Sequence, residues 1–247
     1  MKRQQLLTNG IKITFAILIV IFFVWSLTAG NFQIIFDQPE QFFHLFIQHI
    51  QMVVVSSLLA LLVAIPVGIF VTRPRFRKLE WLFLNTANLG QTIPSIAILA
   101  IVMTYLGIGF NSAVFALFAF SVLPILRNTV AGLNAVDPAL IDAAKGMGFT
   151  PLQILRKVEL PNAAYPIMAG IRTAIVMNIG TAALAYLVGG GGLGDLIFTG
   201  IVMQDHTYLL SGAVPVTILA ILVDLLLRLF EKVVVSKGLR RAASTSN

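Results

Sequence analysis

The chain has 247 residues, 58% of them hydrophobic and only 11% charged, where soluble domains run at roughly 45–50% and 25%. With a mean hydropathy of +0.93, this excludes an ordinary water-soluble domain and points to repeated bilayer crossing. The absence of cysteine removes disulfides, zinc ribbons and thiol nucleophiles, and the net charge of +7 raises a nucleic-acid reading that its distribution along the chain removes.

A helix needs roughly 20 apolar residues to cross a hydrocarbon core of about 30 Å. The first candidate, residues 13–28, follows Lys2, Arg3 and Lys12. Leu27-Thr28-Ala29 is a poor signal-peptide cleavage site, so this helix is read as retained. Pro39 opens a second run whose apolar stripe is Phe42, Phe43, Phe46, Ile47 and Ile50, with Glu40, Gln41, His44, Gln48 and Gln51 mostly opposite. That spacing suits a membrane-surface helix running into a second span at 50–71. The stretch between Glu80 and Arg127 carries no charge and is too long for one crossing. Gly107-Ile108-Gly109 and Asn111-Ser112 divide it into spans at 81–106 and 113–126. Residues 173–188 and 208–230 complete about six spans.

The segment 127–172 is the longest polar stretch, and its helix signals are local and clear. Asp137-Pro138 and Thr150-Pro151 each place an N-cap ahead of a proline at the first helical position. The spacing predicts a short helix over 138–147, presenting Leu140, Ala144 and Met147 on one face and ended by Gly146 and Gly148. A second is predicted over 151–159, stopped by Pro161, with Leu152, Leu155 and Val158 available for packing. Two short helices joined at a glycine bend in water leave apolar surface for another protein to cover.

Six crossings put both termini on one side, and the positive-inside rule makes that side cytoplasmic. Segments 1–12, 73–80, 127–172 and 228–247 then hold all 17 lysines and arginines. The outer segments hold none and carry Asp37, Glu40, Asp195 and Asp205. The surplus positive charge therefore belongs to orientation and anionic head groups, not to nucleic acid.

Within the polar segment, Asp142-Ala143-Ala144-x3-Gly148-x9-Val158-Glu159-Leu160-Pro161 resembles the EAA signature of ABC-importer permeases, Glu-Ala-Ala-x3-Gly-x9-Ile-x-Leu-Pro. Asp142 stands for the glutamate and Val158 for the isoleucine. Gln91-Thr92-Ile93-Pro94-Ser95, Leu123 to Thr129, Val136 to Leu140 and Gly190 to Asp195 are similar to the osmoprotectant branch, which imports glycine betaine, carnitine, choline and related quaternary ammonium compounds. The resemblance covers about 50–230. It implies an all-α membrane protein of the type I, MetI-like permease fold, multi-pass in a bacterial plasma (inner) membrane. Also implied are a separate ABC ATPase dimer that binds ATP and Mg, a second permease subunit, identical or not, and an external substrate-binding protein. Carried over, Asp142, Ala143, Ala144, Gly148, Leu160 and Pro161 would be the ATPase-coupling positions.

Three parts are expected: an N-terminal helix with an outer interfacial segment (1–49), a permease domain (50–230) containing the inner loop, and a cytoplasmic tail (231–247). No Walker A sequence occurs, so this chain holds no ATP of its own. Gly189, Gly191 and Gly194 satisfy GxGxxG, but after a membrane span they lack the βαβ context of a dinucleotide site. A flexible hinge for an outer gate is the expected use. His44, His49 and His206 fall in outer segments as interfacial polar residues, and no catalytic or metal-binding constellation appears, so no cofactor is expected in this chain. Asn85, Asn88, Gln91 and Ser95 recur along one face of the third span, and Asn178 and Thr181 along the fifth. Polar groups facing lipid are costly, so these are candidates for the translocation path or for helix packing. Pro94 is expected to kink the third span. Asp224 pairs by spacing with Arg228. The readings set beside the importer are an ion-coupled carrier or channel, a permease for another small polar solute, and a membrane scaffold.

Overall fold

The computed structural model describes residues 2–235, apart from the side chains of residues 2–9, 12, 15, 16, 19, 87, 91 and 234. Most of the expected tail, 231–247, thus lies outside the described residues. Regular structure among the described residues is helical throughout.

Helix α1 (Lys2–Thr28) is followed by a short α2 (Gln33–Asp37) and a long α3 (Pro39–Val71). The 33 residues of α3 reach about 50 Å at 1.5 Å per residue. The surface segment and the second span are thus one continuous rod. Its buried edge is Phe42, Leu45, His49, Met52, Val53 and Ser56, whereas Phe43 and Ile47 are exposed. The expected stripe was rotated because Leu45 and His49, not the aromatic residues alone, meet the core.

The expected third span is two helices, α4 (Arg77–Thr92) and α5 (Ser95–Leu106), bent by 100°. Pro94 forces Ile93 out of the helical region, to φ −76°, ψ 126°, so the chain breaks where a kink was expected. Helix α6 (Phe110–Asn134) lies between α3 and α9 (Leu160–Thr181) at the centre of the molecule. Ala60, Ala64 and Ala174 are fully buried there, and their small side chains let the three helices approach closely.

The polar segment forms α7 (Pro138–Gly146) and α8 (Pro151–Ile154). Pro161 does not stop the second helix. A π-turn over Leu155–Glu159 carries α8 directly into α9, with Pro161 in the first turn of α9. Proline lacks an N–H and clashes with the carbonyl four residues back. The wider turn, in which Leu160 N–H donates to Leu155 O, absorbs both defects. Beyond α9, a 3-10 stretch (Ala182–Val188) and a glycine turn lead to α10 (Gly194–Met203) and α11 (His206–Val234).

Helix α3, helix α6, the run Pro151–Val188 and helix α11 are each long and apolar enough to cross a bilayer, and the bent pair α4–α5 makes a fifth span if it crosses as a unit. Twelve of the 27 side chains of α1 lie outside the described residues, and α1 is not among the four or five. Leu58, Leu62, Phe115, Leu222 and Leu226 are exposed on the outer surface, as a hydrocarbon solvent requires. Chain direction puts the ends of α3, α6 and α11 and the starts of α4 and α9 together; this is the basic end of the molecule.

Candidate functional site

At the basic end, α7 and α8 form an elbow built from local signals. Asp137 Oδ1 accepts from Ala139 N–H at 2.8 Å and caps α7. Thr150 and Gln153 form a reciprocal capping box at the start of α8. Between them, Gly148 has φ +77°, a left-handed conformation that L side chains resist. Its N–H donates to Lys145 O at 2.9 Å, and Phe149 N–H donates to Ala144 O at 3.1 Å, closing the end of α7.

The elbow has two faces. Ile141, Leu155 and Leu160 pack on a cluster of Leu133, Val136, Ala163 and Ile167 that joins α6 to α9. Ala144 is 1% exposed and lies on the buried side of α7. Leu140, Met147 and Leu152 face outward, Met147 with 67% of its surface open. Ala143 and Asp142 are exposed as well, and Asp142 pairs with Lys145 at 2.9 Å. The outward stripe of α7 is therefore Leu140, Ala143 and Met147, and Ala144 belongs to the opposite side. Pro161 is exposed and Leu160 is partly buried.

Two ion-pair systems brace the same end. Glu159, buried in the π-turn, accepts from Arg73 Nη1 at 2.7 Å. Arg172 of α9 reaches Glu231 at 2.9 Å and Asp224 at 3.5 Å on α11, and Arg228 joins Asp224 at 2.7 Å. The expected Asp224–Arg228 pair is thus part of a larger network between helices.

The candidate path residues separate. Asn178 is buried, and its Nδ2 donates to Ser56 Oγ at 3.0 Å and to Ser57 Oγ at 3.2 Å; it holds α9 to α3. One turn on, Thr181 lines a cleft of about 470 Å³ at the α4–α5 break, with Thr92, Ile93, Pro94, Ser95, Phe120 and Met177. Ser95 and Thr181 therefore come together, and Asn178 does not join them. Asn85 donates to Trp81 O within its own helix at 2.8 Å. Asn88 is exposed, and the side chain of Gln91 lies outside the described residues. Among the described residues, the lining of the cleft bears no charged group.

The glycine turn after α9, where a hinge is expected, is in close contact with α3. Gly192 N–H donates to Gln48 Oε1 at 3.1 Å, and a Cβ on Gly192 would sit 2.7 Å from Met52 Cε. His49 is fully buried beside it, with Nε2 3.0 Å from Ile179 O. His49 is thus a packing residue of the interior, whereas His44 and His206 are exposed. Asp195 opens α10, and its partial burial raises the carboxyl pKa above its ordinary value. Among the described residues no cluster of three or more His, Cys, Asp or Glu side chains is arranged to hold a metal.

The pattern of the family described as "Binding-protein-dependent transport system inner membrane component" matches residues 64–236. The chain belongs to this family. The choline transport system permease protein OpuBB of Bacillus subtilis is 45% identical over 199 residues, 81% of this chain and 91% of the relative. The glycine betaine/carnitine/choline transport system permease protein OpuCB of the same organism is 45% identical over 193 residues, 78% of this chain and 88% of the relative. Among solved structures, a chain of the inward-facing MetNI methionine ABC transporter matches with a TM-score of 0.73 and 26% identity, over 81% of this chain and 99% of that one.

As a binding-protein-dependent permease, the chain is a non-catalytic ABC transport component of the inner membrane, with the MetI-like fold. The permease residues that sequence reasoning missed are those that bond across long separations: Arg73, Ser56, Ser57 and Gln48. Arg73 carried the clearest available signal, as the first charge after an uncharged run that begins at Gln41.

Proposed function

We propose that this permease is the membrane subunit of an ATP-driven importer for quaternary ammonium osmoprotectants of the glycine betaine, carnitine and choline class. Two permease subunits enclose the path, an external binding protein delivers the solute, and a separate ATPase dimer holds ATP and Mg and docks against the α7–α8 elbow. The names and identities of the relatives support the solute class. The observation that carries the mechanism is the elbow itself: an outward apolar stripe of Leu140, Ala143 and Met147 on a short helix whose other side is packed into the transmembrane core.

Mechanism follows from that two-sidedness. A push on α7 cannot be absorbed locally, because Ile141 is seated against the bundle and Ala144 is buried and packed interiors deform little. The push passes through α8 and the π-turn into α9, which is continuous with them. Helix α9 carries Thr181 into the uncharged cleft at the α4–α5 break. Rocking α9 therefore changes the cleft, the rigid-body type of gating transition. Hydroxyls and apolar groups there offer a zwitterion contacts without a deep anionic trap.

The test is reconstitution in proteoliposomes with the cognate ATPase and binding protein. Uptake is expected to require ATP, and betaine, carnitine and choline to compete for it more strongly than proline. Uptake by the permease alone that follows an ion gradient would refute this function.

A further inference from the structure

The elbow has a second connection to the bundle besides the continuous helix into α9. We infer that the Arg73–Glu159 ion pair is a positioning link that carries elbow motion to the α3–α4 corner, an inference that rests on the coupling role proposed above.

The chemistry of the pair is that of a fixed joint. Arg73 follows directly on the last residue of α3's cap, and all three of its guanidinium nitrogens are engaged. Nη1 donates to Glu159 Oε2 at 2.7 Å, Nε donates to Ile69 O at 3.1 Å, and Nη2 donates to Thr72 Oγ1 at 3.3 Å. The last two bonds tie the guanidinium to the end of α3, so a displacement of Glu159 is transmitted to the backbone and not lost in side-chain rotation. Glu159 is the last residue of the π-turn and is 9% exposed. A carboxylate held out of water is strongly bound to its one cationic partner, since separation leaves an unpaired buried charge. Among the described residues, no other ion pair crosses from the α7–α9 run to the α3–α4 corner.

The corner beyond Arg73 is stiff. Phe70 and Phe76 stack with ring centroids 4.0 Å apart and fold the Pro74–Phe76 turn back on α3. In the first turn of α4, Glu80 accepts from Asn134 Nδ2 at 2.7 Å and so meets the end of α6. The far end of α4, Thr92, lines the same cleft that Thr181 of α9 enters. The elbow thus addresses the two walls of the cleft by two routes, through α9 directly and through Arg73 to α4. Both walls of the cleft are thereby joined to a single input. The fork lies at the π-turn, a feature that recurs at functional sites in helices.

The experiment uses the complete transporter in proteoliposomes and reads solute moved per ATP hydrolysed. The variants are Glu159→Gln, Arg73→Gln and the double variant. Arg73→Gln alone strands a buried carboxylate and is the one most exposed to folding damage; the double variant removes that charge. ATP-independent uptake by the unaltered transporter would dispose of the coupling role itself, separately from the pair. With the unaltered transporter ATP-driven, Glu159→Gln and the double variant are expected to assemble with the ATPase, to hydrolyse ATP, and to lose about fivefold or more in solute per ATP. A merely structural pair would lower the amount of complex and leave that ratio unchanged. An unchanged ratio in the double variant overturns the inference, as does failure of both Glu159→Gln and the double variant to assemble.

Discussion

Substitution at Gly148 isolates one physical term in the elbow. The residue sits at φ +77°, and a Cβ there would meet no atom within 4 Å. Gly148→Ala therefore introduces no clash with neighbouring groups, and its cost is the left-handed backbone alone, about 1–2 kcal/mol. That energy corresponds to a roughly 5- to 30-fold smaller population of the bent elbow. ATP-driven uptake in proteoliposomes is expected to fall by that factor at equal amounts of inserted protein. Gly148→Asn, which tolerates the left-handed region better, is expected to lie closer to the parent. Gly148→Pro is expected to abolish both ATPase co-purification and uptake. It fixes φ near −65° and deletes the N–H that donates to Lys145 O. Parent-level uptake by the alanine variant, with the protein normally inserted, would refute the requirement for this bend.

Five further substitutions separate surface, core and cleft. Ala144→Leu is expected to destabilise the permease by about 1–3 kcal/mol through overpacking, read as a lower melting midpoint in detergent. Met147→Glu, on the exposed face, is expected to change stability by no more than about 0.5 kcal/mol and to prevent co-purification of the ATPase. Asn178→Leu loses the bonds to Ser56 and Ser57 and is expected to cost about 1–2 kcal/mol in the same melt. Thr181→Val, whose hydroxyl bonds only Met177 O of its own helix, is expected to melt normally and to alter the apparent affinity for solute in uptake. His49→Phe removes the bond to Ile179 O and is expected to cost about 1–2 kcal/mol; an unchanged melt would show that this bond contributes nothing.

The elbow was legible because its signals act within a few residues. Asp137-Pro138 and Thr150-Pro151 begin their helices where the caps predict, and Gly148 bends where its conformational freedom predicts. What required three dimensions was decided by partners far along the chain. Spacing placed Asn178 and Thr181 on one helix edge, but only the position of α3 separates a packing amide from a cleft hydroxyl. Pro161 read as a stop because the defects of proline are local, whereas the π-turn that accommodates it is set among Arg73, Asn162 and the start of α9. Pro94 was legible as an irregularity. Its depth, a 100° break and not a kink, follows from the packing of α5 and α4 on α6.

The unbroken run from Pro151 to Val188 has a mechanical corollary. Its 38 residues make a beam of roughly 57 Å at about 1.5 Å per residue, so a tilt of about 5° at the foot displaces the tip by some 5 Å. That travel is comparable to the width of a trimethylammonium head. Under the coupling proposed above, a slight stroke at one membrane face becomes a larger travel at the other, without any helix having to unwind.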